Sequence, residues 1–453
     1  HSLPLSIFCY NMQPKNLSRF IHWVWSANWL NTGKTGWVTE NFNSDVKMAT
    51  QIQAQTQTQA AQTTLPTHFS DLVRLIDTGQ TLDEAQTQTL MTGALAQVLN
   101  GIDLTRAQMR AVMLTIMRGQ CGDATMGALL AGLRMKGESI EEITAAAEVM
   151  RELALPVELG DTPHVVDIVG TGGDGANLFN VSTASALVAA AAGCHVAKHG
   201  SRGVSTSSGS SDLLQKAGVR LDLPVEAVTR CIREQGLGFL FAPNHHTAMR
   251  HAAGVRRELK ARTLFNILGP LTNPARVRRA VIGVFNPALC EPLAHVMHNL
   301  GAKHVMVVGS LDGLDELSIA SPSQVAELKD GRVRVYHLEP EDVGLTSQPL
   351  KGLMVNGSGE SLALIQAAFA PATKSIASDQ ANNTANNKDA IAQKAADMIA
   401  LNAGAAIYVA GLADSHAEGV VRAQRVLSSG AAAQKLQAFA TFTQDLARDV
   451  PAT

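Results

Sequence analysis

Residues 164–211 read HVVDIVGTGGDGANLFNVSTASALVAAAAGCHVAKHGSRGVSTSSGSS. Two short strand-like segments, HVVDIV and CHVAKHG, have the length of buried strands, and the first is rich in Val and Ile. Each gives way to a loop dense in Gly, Ser, Thr and Asn. The small-residue run STASALVAAAAG between them predicts a helix. Strand, loop, helix, strand is the order of an α/β domain with a largely parallel sheet. Loops of this composition present backbone N–H groups and hydroxyls to an anionic, phosphate-rich ligand. The second loop adds Lys198, His199 and Arg202.

The alternation continues outward. SDLLQKAG predicts a helix, and further strands are expected at 280–285, 304–308 and 332–337. Upstream, helical spacing of Leu, Met, Val and Ile marks 69–77, 91–99, 106–118, 124–134 and 139–153, with Thr105 and Asp123 as N-caps. Downstream, helices are expected at 390–402, 415–428 and 431–446. The expected fold class is α/β: a small all-helical N-terminal domain followed by a larger α/β domain with a largely parallel central sheet. The helical domain should span 68–155, completed by helices around 236–258. The α/β domain should span 160–450, with an exposed polar insertion near 372–388. Residues 1–67 read as a non-native or disordered extension. All four tryptophans, Trp23, Trp25, Trp29 and Trp37, precede Met48, where the composition changes to QIQAQTQTQAAQTT. Met48 is the expected natural start; the competing reading is a genuine amphipathic extension.

Bulk composition narrows the function. The 453 residues are 46% hydrophobic, 17% charged and 4% aromatic, with a net charge of -2. That supplies neither the basic footprint nor the aromatic platforms of a nucleic-acid binder. Five scattered cysteines without a C-x-x-C suggest neither a disulfide framework nor a zinc site. With no long apolar segment and no signal-peptide pattern, the expected location is the cytoplasm, away from membranes.

GTGGDG at 170–175 satisfies G-x-G-x-x-G, the dinucleotide fingerprint. That fold needs the third glycine to open the helix directly and an acid about 20 residues on. Here residues 176–180 intervene before a helix cap expected at Ser182, and the second strand ends in Lys198 and His199. No Gly-Lys-Ser/Thr follows, so the Walker pattern also fails. A plain turn accounts for one or two glycines, not for four beside Asp174, Asn180, Ser182 and Thr183.

The stretch DIVGTGGDG…FNVSTASA…VAKHG closely resembles the anthranilate phosphoribosyltransferase family. The resemblance continues in order through SGSSDLLQKAGV, GFLFAPNHHTAMRH, VRRELKARTLFNILGPLTNP, IGVFNP and DGLDELS, covering about 91–446. It implies 5-phosphoribosyl-1-pyrophosphate and anthranilate as substrates, two Mg²⁺ ions, and a homodimer formed through the helical domain. Gly170, Gly173 and Asp174, with Asn180, Val181, Ser182 and Thr183, match the family's positions around the pyrophosphate and ribose. Lys198, His199, Gly200, Ser201, Arg202, Ser205, Thr206 and Ser210 match the second loop of that site. Ser182, Asp315 and Glu316 match the Mg²⁺ ligands, oxygen donors suited to a hard cation. Gly170, His199, Ser201, His246, Arg256 and Pro270 match the anthranilate positions, where the Arg256 guanidinium would pair with the carboxylate. No obligatory general base is implied; His199 is the candidate for accepting a proton.

Some positions depart from the family's usual residues: Ser201 stands for Asn, Ser207 for Lys, Lys260 for Gly, Thr247 for Pro and Gly309 for His. Two other readings compete. A pyrimidine nucleoside phosphorylase shares the architecture, but DGLDE and FNVST suit pyrophosphate and Mg²⁺ better than free phosphate. A non-catalytic nucleic-acid-binding paralogue would need a basic surface and degraded phosphate loops.

Overall fold

The computed structural model describes residues 67–202, 208–371 and 383–449. The expectations for residues 1–66, for Ser205 and Thr206, and for most of the 372–388 insertion lie outside these residues; 383–388 open a helix.

Helices α1 (Thr67–Asp77), α2 (Glu84–Leu99), α3 (Arg106–Met117), α4 (Asp123–Lys136) and α5 (Ile140–Leu153) come first. Reciprocal capping boxes start three of them: Asp83 with Gln86, Thr105 with Gln108, and Ser139 with Glu142. α2 begins seven residues before the expected 91, because its polar first turns hide the apolar spacing. At α4 the cap is Gly122, not Asp123. Asp123 is instead the first helical residue, where its charge favours the positive helix end. Gly132 of α4 admits Val98 of α2, since a Cβ there would lie 2.9 Å from Val98 Cγ1. Glu142 is fully buried and ties three elements together. It accepts from Leu104 N at 2.9 Å, Ser139 N at 2.7 Å and Lys136 Nζ at 2.8 Å.

The sheet holds seven strands in the order β3-β2-β1-β4-β5-β6-β7. They are β1 (Val165–Gly170), β2 (His195–Gly200), β3 (Leu237–Phe241), β4 (Arg279–Gly283), β5 (His304–Ser310), β6 (Ser323–Lys329) and β7 (Arg332–Leu338). The first five in chain order pair parallel, and β6 and β7 extend the edge antiparallel. Sequence reasoning missed β3 and β6. The stretch 236–258, expected to supply helices alone, opens with β3. Its later helix α10 (Arg250–Leu259) packs on α3 and α4.

Small residues let helices approach the sheet closely. α6 (Val181–Ala191) carries Ala184, Ala186, Ala189 and Ala190 in its buried part and packs on β1 and β2. Against it lies α14 (Asn383–Val409), which also reaches β1, β4 and β5. On the other face α12 (Cys290–Asn299) covers β5 and β6. α7 (Ser210–Lys216), α8 (Val225–Gln235), α9 (Ala242–His245), α11 (Leu264–Leu268), α13 (Ser358–Phe369), α15 (His416–Ser428) and α16 (Ala431–Asp449) complete the set.

Candidate functional site

β1 lies between β2 and β4, so the connections leaving β1 and β4 turn to opposite sides of the sheet. Such a reversal opens a crevice at the carboxyl ends of parallel strands. The glycine loop leaves β1 there, and the loop carrying Asp315 and Glu316 leaves β5.

The two loops are packed backbone against side chain. Gly172 N donates to Asp315 Oδ2 at 2.6 Å, and Thr171 N donates to Gly283 O at 2.9 Å. A Cβ on Gly170 would lie 2.5 Å from Asp315 Oδ2, and one on Gly283 only 1.6 Å from the Asp315 carbonyl oxygen. Gly172, Gly173 and Gly175 hold φ of 67°, 81° and 75°, a region that favours glycine. The far end of the loop is pinned by Phe179 N to Leu353 O at 3.1 Å and Val355 N to Asn177 O at 2.8 Å.

The helix cap is Asn180, not Ser182, which sits within the first turn of α6 beside Val181 and Thr183. The helix begins earlier because Asn180 is held from outside. Its N–H donates to Ser361 Oγ, its Oδ1 accepts from the Ser208 and Ser361 hydroxyls, and its Nδ2 donates to Ser208 O. The Asn180 side chain therefore ties the second loop, through Ser208, to α13, through Ser361. Ser182 N donates to Glu316 Oε1 at 3.2 Å.

Lys198 is 2% exposed at the floor. Its ammonium donates to Ile168 O at 2.7 Å and Ser182 Oγ at 3.3 Å. Burial lowers its pKa, against the pull of Asp167, Glu316 and Asp315. The carboxylates respond in the opposite sense. Burial, then Asp174, pushes Asp315 up to about 6, and burial with Asp315 raises Glu316 well above the usual range. Crowded oxygen donors beside a single buried cation fit an added hard cation. Among the described residues no group of three or more His, Cys, Asp and Glu could hold a metal ion by itself. Mg²⁺ asks less, since one or two carboxylates suffice when phosphate oxygens supply other ligands.

On the other wall stand His199 and His246, their rings 5.1 Å apart edge to face. His199 Nδ1 lies 3.1 Å from Gly269 O. A carbonyl only accepts, so Nδ1 carries the proton and Nε2 keeps its lone pair; that Nε2 is buried without a partner. Burial, with His246 beside it, pulls the His199 pKa down to about 3 and keeps the ring neutral. Burial likewise lowers His246 to about 4. His245 is a structural neighbour, its Nδ1 2.9 Å from Leu155 O. Pro270 is buried in the turn Gly269–Leu271, and Arg256 lies 5.5 Å over the Phe265 ring. Ser201 and Arg202 are exposed at the mouth, with Arg202 6.0 Å over Phe241, and Ser210 opens α7. Gly200 admits Phe239, which a Cβ would meet at 2.8 Å.

Three participants escaped sequence reasoning. Asp167 is fully buried, accepting from His199 N at 3.2 Å and Asn273 Nδ2 at 2.7 Å; Asn273 Nδ2 also reaches Ala197 O. This pair fixes the backbone from which Lys198 and His199 project. Arg262 donates to Gly173 O and stacks 3.9 Å over the Phe285 ring. Their signal was a polar residue at a position that should be apolar, as Asp is in VVDIV.

Comparison with known proteins follows the same outline. The a/b domain of a glycosyl transferase family matches residues 162–433, and that family's helical bundle domain matches 92–154. An anthranilate phosphoribosyltransferase of Psychrobacter sp. (strain PRwf-1) is 60% identical over 369 residues, 81% of this chain and 97% of that protein. One from Acinetobacter baumannii (strain AYE) is 56% identical over 78% of this chain and 97% of its own. Among solved structures, the Thermus thermophilus enzyme is 42% identical with a TM-score of 0.69, covering 78% of this chain and 99% of that one. The Saccharomyces cerevisiae enzyme in complex with PRPP and Mg is 25% identical with a TM-score of 0.67, covering 78% and 98%. From the crevice at the sheet reversal to the full-length relatives, the chain belongs to the anthranilate phosphoribosyltransferase family.

Proposed function

We propose that the chain transfers the phosphoribosyl group of 5-phosphoribosyl-1-pyrophosphate to the amine of anthranilate, in L-tryptophan biosynthesis. The observation that carries this is the convergence, at one sheet reversal, of a glycine loop, a helix N-terminus, a buried lysine and an acidic pair. The chain also spans nearly the whole length of relatives bearing that activity.

The anthranilate nitrogen forms a bond to the anomeric carbon as the bond from that carbon to pyrophosphate breaks. The leaving electron pair stays on pyrophosphate, and the nitrogen sheds a proton. An aromatic amine is neutral at pH 7, so no base is required before attack. Gly170, Gly173, Asp174, Val181 and Thr183 surround the pyrophosphate and ribose with N–H groups and the positive end of α6. Lys198 supplies a fixed positive charge as negative charge develops on the leaving group. Gly200, Ser201, Arg202 and Ser210 add further phosphate contacts, and the resemblance assigns Ser205 and Thr206 the same role. Asn180, assigned to the same substrate, also joins the second loop to α13. Ser182, Asp315 and Glu316 would hold two Mg²⁺ ions, whose contribution is neutralisation of pyrophosphate charge. Arg256 pairs with the anthranilate carboxylate, Pro270 and Gly170 give apolar and close-approach walls, and His246 orients His199. His199 Nε2, neutral and unpartnered, accepts the proton that nitrogen releases.

The helical domain is assigned to 68–155 with α10 added, and the α/β domain to 160–450. We assign a homodimer working in the cytoplasm on small molecules, without nucleic acid or membrane. Among the described residues no helix is long and apolar enough to cross a membrane.

Mixing the chain with anthranilate, 5-phosphoribosyl-1-pyrophosphate and Mg²⁺ should extinguish anthranilate fluorescence. Folded protein that leaves the fluorescence unchanged overturns this reading.

A further inference from the structure

The loop bearing Asp315 and Glu316 is held at its far side by a residue that lies 85 positions later in the chain. Asn402 sits in the middle of α14 and is fully buried. Its Oδ1 accepts from Leu317 N at 3.0 Å, and its Nδ2 donates to Leu317 O at 2.9 Å. One amide thus satisfies both backbone groups of the residue that follows Glu316. Its remaining amide proton goes to Met398 O at 3.0 Å within α14, which fixes the rotamer. The Leu317 side chain is itself fully buried.

Nothing about α14 requires this polar group. The helix is apolar around it, with Met398, Ile399, Leu401, Ala403, Ala405 and Ile407 all buried. A buried amide is tolerated where each polar atom finds a partner, and here the partners belong to the acidic loop. From the opposite side that loop meets the glycine loop and β4, through Gly172 N and the space left by Gly283. The acidic pair is therefore gripped between a strand edge and one side chain. Asp315 is set by the glycines and Glu316 by the register of Leu317.

We propose that Asn402 is a positioning residue for the acidic pair, acting on Mg²⁺-dependent pyrophosphate binding without touching ion or substrate. This rests on the reading of Asp315 and Glu316 as Mg²⁺ ligands. The prediction is selective. Losing the clamp should raise the Mg²⁺ concentration needed for half-maximal effect and leave the anthranilate wall intact.

The variants are Asn402→Ala and the near-isosteric Asn402→Asp, which keeps an acceptor for Leu317 N but sets an oxygen against Leu317 O. Calorimetric titration of Mg²⁺ with inorganic pyrophosphate should show affinity reduced tenfold or more. The Mg²⁺ midpoint of the reaction should rise by a similar factor, with the anthranilate KM within about twofold and the rate largely restored at high Mg²⁺. Phe439→Leu, a buried change in α16, is the control for lost stability and should shift neither quantity. Wild-type Mg²⁺ dependence and pyrophosphate affinity in either folded variant overturns the proposal. If neither variant folds, hydrogen exchange on the wild-type chain decides. Protection of the Leu317 amide without Mg²⁺ supports a pre-formed clamp, and rapid exchange overturns it. A double variant, Asp315→Asn with Glu316→Gln, separates the two claims. Should it keep wild-type Mg²⁺ dependence, the ligand reading fails; should it lose that dependence while Asn402 variants do not, the clamp fails alone.

Discussion

Gly283→Ala adds a single methyl at the end of β4, and the structure says where it must go. The new carbon would lie 1.6 Å from the Asp315 carbonyl oxygen and 2.6 Å from its carbon. Side-chain carbons essentially never come within 3.0 Å of such atoms, so the shortfall is about 1.4 Å. The obstacle is backbone and cannot rotate away. Either β4 leaves its register with β1, where Gly283 pairs with Gly170, or the 315–317 segment retreats. Strands buried on both sides resist the first, so the loop should move, carrying Asp315 and Glu316 with it. A misplacement of about 1 Å costs on the order of 100-fold in rate. The expected loss in kcat/KM is therefore about 100-fold or more, about 2.7 kcal/mol of transition-state stabilisation. Overpacking should also lower stability by about 1–3 kcal/mol. Anthranilate fluorescence at several Mg²⁺ concentrations measures the first, and urea unfolding the second. Gly170→Ala is the informative contrast, because its methyl meets the movable carboxylate of Asp315 at 2.5 Å. It should raise the Mg²⁺ midpoint and cost the Gly172 hydrogen bond, with a smaller loss of rate. A Gly283→Ala enzyme within about threefold of wild type would refute the claim that β4 and the acidic loop share a rigid contact.

Glu142→Ala should destabilise the helical bundle by about 1–3 kcal/mol in urea melts, since it leaves the buried Leu104 N–H without its partner and takes from Lys136 one of its two carboxylates, Asp103 remaining. Lys260 ends α10 in the left-handed region at φ 45°, a conformation that Gly adopts without strain. Lys260→Gly should therefore stabilise the chain by up to about 1 kcal/mol, read as a rise in melting temperature. His199 takes up its proton near 6.5 when unfolded but only near 3 when folded. Between those values the unfolded chain binds more protons, so its contribution is complete above pH 6.5 and falls away as pH drops. At pH 5 the loss should be about 2 kcal/mol. Urea melts at pH 7 and pH 5 should differ by that much less in His199→Gln, and an identical difference in both proteins would show that His199 is not the group responsible.

The chemistry was most legible where it is carried by local sequence. GTGGDG, the cap region, KHG and DGLDE are short runs whose residue types name their tasks, and the structure gathers them at one crevice. Pieces whose meaning depends on distant partners were not legible. Asp167 and Asn273 are polar residues of ordinary spacing until the fold brings them together across 106 positions of chain. Asn402 needed Leu317, and the Asn180 cap needed Ser361, before either had a role. β3 escaped because five residues between helices give no alternation to count. β6 hid behind its charged alternate residues, although Asp330-Gly331, with φ of 51° and 75°, forms the tight hairpin that joins it to β7.

The strand order has a consequence for how the chain is made. β1 is an interior strand of the sheet, yet its partner β4 is synthesised only after β2, β3 and six α-helices. At about 5–20 residues per second, the edge of β1 destined for β4 waits roughly 5–20 s on the ribosome. Through that interval Val166 and Ile168, with the glycine loop beyond them, form an open template for any extended segment nearby. The three later elements that grip the crevice, around Leu353, Ser361 and Asn402, emerge later still. A nascent chain halted before β4 would carry the residues of both phosphate loops and no assembled crevice, and its bare strand edge makes it a natural client for chaperones.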